Sequence, residues 1–143
     1  PYMSVVDSFQ HWVYENPEAA LDTDACEKMY GEIYDRFMPG VDWSGFEQFK
    51  VSRWQRQLHI FEYPFYYIEY GLAQLGATLI YGNAVKDQQS AVASYRKALA
   101  LGGTATLPDL FKTAGARLAF DSGTLKEAID LLENEVEKLQ QLM

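Results

Sequence analysis

Apolar residues in this chain recur at helical spacing in one stretch after another, and no segment alternates convincingly with the period of two that a half-buried strand requires. The clearest case is the stripe Cys26, Met29, Tyr30, Ile33, Tyr34 and Phe37, which puts six apolar side chains on one helical face before Pro39-Gly40 closes the run. Asp24, with Glu27 three residues on, offers that helix a capping signal. An earlier run, Val5, Val6, Phe9, Trp12 and Val13, ends at Asn16-Pro17. The chain is therefore read as all-α.

Further signals place the remaining helices. Ser44 and Glu47 form a capping box for a helix expected to reach about Glu62, where Pro64 breaks or kinks it. Phe65 to Tyr81 is almost wholly apolar or aromatic and is expected to be the buried central helix. Gly71 and Gly76 within it point to a close backbone approach. A helix from Asp87 to Leu101 stops at Gly102-Gly103, a short one spans Pro108 to about Ala116, and Thr124 with Glu127 caps the last. In that last helix Leu125, Ala128, Leu132, Val136 and Leu139 are expected to face inward. The count is six or seven helices in one unit, residues 1–143, without linker or low-complexity tract. Ala91 to Leu101 has the look of a tetratricopeptide helix, but nothing comparable recurs about 34 residues earlier.

Charge and cysteine content narrow the function classes. The net charge of −8 and the 12 scattered basic residues offer no positive track for a phosphate backbone, so neither nucleic acid nor an anionic membrane is expected as a partner. No apolar run approaches the roughly 18 residues of a membrane span. The one cysteine, Cys26, excludes an internal disulfide or a cysteine-rich zinc site and fits a reducing cytoplasm. It reads as a core position. A chain that begins on Pro1 and turns helical at once reads as a piece of a longer protein.

No complete catalytic or metal-binding motif is present. His11 and His59 lie too far apart in sequence to share one turn of an H-E-x-x-H helix, and no nucleophile elbow or glycine-rich phosphate loop occurs. The unusual segment is RWQRQLHIFEYPFYYIEYGLAQLGA, Arg53 to Ala77. His59, Tyr63, Tyr66 and Tyr70 fall on one face of a continuous helix, with Tyr67 beside them and Pro64 between. Such a row offers neutral donors suited to a peptide carbonyl or a developing oxyanion. A core aromatic stripe has the same spacing. His11 reads as structural, and Arg53 and Arg56 as solvated.

The run His59-Ile-Phe-Glu-Tyr-Pro-Phe-Tyr-Tyr-Ile-Glu-Tyr70-Gly71 resembles the C-terminal signature of the oligoendopeptidase F family of zinc metallopeptidases, related to thimet oligopeptidase. Val6 to Trp12, Val41-Asp42-Trp43 and Tyr95 to Gly103 support it. The likeness covers nearly all of this chain, but only the C-terminal part of the family's protein. It implies the C-terminal part of a larger helical zinc-peptidase catalytic domain, cutting short peptides with a zinc-activated water. The zinc ligands and the general base would lie upstream, so this chain would bind no metal and be inactive alone.

Carried over by motif, the resemblance implies His59 as donor to the substrate carbonyl, Tyr70 and Tyr67 as oxyanion donors, and Tyr63 and Tyr66 as neighbours in the wall. The alternative is a non-enzymatic helical module that grips a peptide or partner helix. Self-association is expected through Phe9 and Trp12 on the first helix, if that face has lost its neighbours.

Overall fold

The computed structural model describes residues 1–142, and every regular element among them is helical. The α-helices are α1 (Tyr2–Glu15), α2 (Thr23–Phe37), α3 (Glu47–Val51), α4 (Leu58–Glu62), α5 (Ile68–Lys86), α6 (Gln88–Leu101), α7 (Leu107–Thr113) and α8 (Ser122–Gln140). Short 3-10 turns occupy Ala19–Leu21, Ser52–Arg56 and Gly102–Thr104. The chain divides into two compact units, Pro1–Gly71 and Leu72–Met143. No helix among the described residues is long and apolar enough to cross a membrane.

In the first unit α1 lies against α2 because both periodic stripes find a partner there. Val5, Phe9, Cys26, Tyr30 and Tyr34 form the core, ringed by Trp12, Trp43, Trp54 and Ile60. Phe9 is fully buried, edge-on to Tyr30 at 5.2 Å between ring centroids and against Trp54 at 5.6 Å. Such ring pairs add roughly 0.5–1.5 kcal/mol beyond their burial. The Phe9–Trp12 face therefore has its neighbours and is not the free surface expected of it. Cys26 is buried as expected, and its thiol donates to the Ala20 carbonyl at 3.4 Å. Burial, and then Asp22, push that thiol's pKa up, which keeps it unreactive.

The helix expected from Ser44 to Glu62 is instead three short pieces. Ser44 does not cap. Its amide and hydroxyl both donate to Asp42, at 2.9 and 2.7 Å, and α3 begins after Phe46. The Ser52 hydroxyl donates back to the Gln48 carbonyl at 2.7 Å, a bond that competes with the helical ladder. Gln57 then leaves the helix with φ −87° and ψ 89° before α4 restarts. Two other caps sit slightly upstream of expectation. Asp22 accepts from the Asp24 amide at 3.0 Å, and Asp121 accepts from the Thr124 amide at 2.8 Å.

In the second unit Leu79, Ala116 and Ala128 form the core, with Leu75, Ile80 and Phe111 packed on it. A side chain at Gly76 would collide with the Phe111 ring, so the expected close approach exists there. At Gly71 the nearest neighbour, Met3, is at ordinary contact distance, and no glycine is required. The segment from Phe65 to Tyr81 is not a buried central helix. Tyr66, Tyr70 and Tyr81 are all exposed by 45% or more, and the helix begins only at Ile68. Along α8, Ala128 is buried, whereas Leu125, Leu132, Val136 and Leu139 are exposed rather than inward-facing.

Candidate functional site

The site grows from a broken helix in the first unit. Proline at position 64 cannot donate to the ladder, and α4 ends at Glu62. Phe65 follows with φ +59°, a left-handed conformation costly for a residue with a side chain, on the order of 1–3 kcal/mol. Two contacts hold it there. Its ring packs on His11 and Tyr14, at 4.8 and 5.0 Å between centroids. Its amide donates to Gln10 Oε1 at 3.2 Å.

Gln10 is the residue that the sequence did not single out. It is fully buried on α1, and its Nε2 reaches the carbonyls of His59 and Ile60 at 3.5 and 3.4 Å. One amide therefore clamps both sides of the break. Its traces in the sequence are a polar residue inside an apolar stripe and a place in the Val6 to Trp12 run.

The break gathers the expected residues instead of dispersing them. His59 stands in α4, and Tyr63 is its C-cap. Tyr66 and Tyr67 precede α5, and Tyr70 lies in its first turn. The His59 ring lies 4.9 Å from Tyr67, 5.9 Å from Tyr70 and 6.0 Å from Tyr63. Tyr66 meets Tyr70 at 5.7 Å and Tyr63 at 6.5 Å, and Tyr67 meets Tyr70 at 5.5 Å. All five are in one cluster. His59 and Tyr67 are half-buried at its base, while Tyr63, Tyr66 and Tyr70 are 45–54% exposed at its mouth.

Two further residues build the base. Tyr2 on α1 sits edge-on to Tyr67 at 6.1 Å and donates to Gln57 Oε1 at 3.1 Å. The Gln57 Nε2 lies 3.0 Å from His59 Nδ1. Burial above all, then the neighbouring Tyr2 and Tyr70 hydroxyls, push the Tyr67 pKa above the ordinary phenol value. Tyr67 therefore stays a protonated donor. Arg53 is not solvated as expected. Its guanidinium lies 5.5 Å from the Tyr2 ring centroid and 5.7 Å from that of Trp43, and its Nε is buried without a partner. His11 is an exposed residue, 3.7 Å from Asp7, and packs on the strained Phe65.

The cluster presents one imidazole and several neutral phenols toward solvent: hydrogen-bond donors for a carbonyl or an oxyanion. Among the described residues no three His, Cys, Asp or Glu side chains come together to hold an ion.

Residues 2–129 match peptidase family M3. The chain belongs to that family. A solved structure assigned as an oligoendopeptidase F aligns with this M3 chain at a TM-score of 0.84 and 32% sequence identity. The likeness covers 96% of this chain and 24% of that one, so the M3 segment described here spans about a quarter of that relative's length. No curated protein sequence matches it. The M3 match runs through both units and contains the whole His59 cluster.

Proposed function

We propose that this chain is the C-terminal part of the catalytic domain of a zinc-dependent oligoendopeptidase, and that the His59 cluster forms one wall of its peptide cleft. The observation that carries this reading is the convergence of an imidazole and four phenols in one partly exposed cluster of an M3 family member. His59 donates to the carbonyl of a short peptide. Tyr67 and Tyr70 donate to the oxygen that becomes an oxyanion when the carbonyl turns tetrahedral, and Tyr63 and Tyr66 line the approach. Donors fixed before reaction stabilise that charge without reorganising, and one such donor is worth roughly 100- to 1,000-fold in turnover.

The metal belongs to the rest of the protein on this reading. The described residues offer no ligand set for zinc, and no step performed by this chain passes through it. The isolated chain is therefore inactive.

Hydrolysis of a quenched fluorescent peptide, with and without a chelator, tests the reading on this chain and on the product extended upstream in the same reading frame. Cleavage by the extended protein alone, abolished by chelator, is the expected outcome. Chelator-resistant cleavage by the 143-residue chain would sink it, as would an extended protein that cuts no peptide.

A further inference from the structure

We propose that Gln57 is a positioning residue that fixes the His59 imidazole with its proton on Nε2, and that Tyr2 holds Gln57 in the orientation this requires. Gln57 sits at the joint where the chain leaves the helix before α4, half-buried, with its side chain running from Tyr2 to His59. A primary amide has an acceptor end and a donor end. The Tyr2 hydroxyl donates to Oε1 at 3.1 Å, which leaves only the N–H end for the ring 3.0 Å away. An N–H can bond to a ring nitrogen only where that nitrogen carries a lone pair. Nδ1 is therefore unprotonated, and the proton of the neutral ring is on Nε2.

The opposite orientation would send Gln57 Nε2 to Tyr2 and have Oε1 accept from Nδ1–H. That would make the Tyr2 oxygen an acceptor and turn its proton away from Gln57. Tyr2 neighbours Tyr30, whose buried hydroxyl has no hydrogen-bond partner among the described residues. An unpaired buried O–H costs roughly 1–3 kcal/mol. If the Tyr30 hydroxyl donates to the Tyr2 oxygen, the Tyr2 proton needs an acceptor of its own, and Gln57 Oε1 lies 3.1 Å away. Arg53, which lies over the Tyr2 ring, has no acceptor to offer that proton. These contacts favour the direction Tyr2 to Gln57 to His59.

The consequence rests on the peptidase reading. With Nδ1 backed against Gln57, the free nitrogen of His59 is a neutral donor, the form that a substrate carbonyl needs. With the proton on Nδ1, the free nitrogen would be an acceptor and would repel the same carbonyl.

The test needs no catalysis. The chain has two histidines, so labelling with 15N-histidine and recording long-range proton–nitrogen correlations at neutral pH reads each ring separately. His59 should show an unprotonated Nδ1 and a protonated Nε2, with the exposed His11 as internal reference. Gln57→Glu replaces the donor by an acceptor and should move the proton to Nδ1. Tyr2→Phe frees the amide to turn and should give a mixture. A parent chain with the proton on Nδ1 overturns the inference, even if neither variant folds. So do folded variants whose His59 signals match the parent. The predicted tautomer, in a chain whose extended form cleaves peptides equally well without His59, upholds the role of Gln57 and removes His59 from the peptidase mechanism.

Discussion

Phe65 shows how a single strained residue is held by one buried amide. A φ of +59° with a benzyl side chain persists because Gln10 accepts its N–H and two aromatic neighbours pack its ring. Removing the amide leaves the Phe65 N–H and the Ile60 carbonyl without this partner, while the His59 carbonyl still accepts from the Tyr63 amide at 3.1 Å. Each unsatisfied buried group costs roughly 1–3 kcal/mol, and the two carbonyl contacts are long, so their share is small. Gln10→Leu, close in volume, should lower stability by about 2 kcal/mol in urea unfolding. Parental stability would show that the break holds itself. At this scale the sequence was half legible. His59 and the tyrosines were visible as an aromatic row, whereas Gln10 and Gln57 were not. Their partners lie far along the chain, and a glutamine carries no local signal of what it will bond.

Among the elements, those that end on chemistry specific to one position were readable. Asn16 ends α1, Asp87 caps α6, with the Ser90 amide donating to it at 3.1 Å, and Gly102 closes α6. Gly102 has φ +53° and ψ −133°, a region essentially reserved for glycine. Gly102→Ala meets no neighbour, so its cost is conformational alone. We expect about 1–3 kcal/mol of destabilisation, measurable as a lower midpoint of thermal unfolding. An unchanged midpoint would mean that the turn relaxes. Elements were misread where two capping residues compete. Asp22 wins over Asp24 and Asp121 over Thr124 because the winner has extended backbone and can reach forward to a free amide. The helix expected from Ser44 to Glu62 failed for a related reason. Asp42 captures Ser44, and the side chains of Ser52 and Gln57 bond elsewhere than the ladder favours.

For the molecule as a whole, the all-α class was legible because a period near 3.6 is repeated along the chain, and tertiary structure did not override it. What periodicity cannot reveal is which stripes find cover. The α1 stripe does. The α8 row Leu125, Ile129, Leu132, Val136 and Leu139 does not, each residue being 43–61% exposed. A second uncovered surface is an apolar hollow of about 350 Å³ whose lining includes Gly76, Tyr95, Leu99 and Phe111. Neither brings together the donors found at His59, which is why the functional reading rests on the first unit. The break at Pro64 turns a helical row into a cluster, with the imidazole held from behind by Gln57 and the phenols around it. The decisive measurement is steady-state peptide hydrolysis by the upstream-extended protein carrying His59→Gln, Tyr67→Phe or Tyr70→Phe, with kcat and KM determined separately. Loss of roughly 100- to 1,000-fold in kcat for at least one of the tyrosine variants, with KM nearly unchanged, is the predicted result for a transition-state donor. Parental kcat in all three variants would contradict the account.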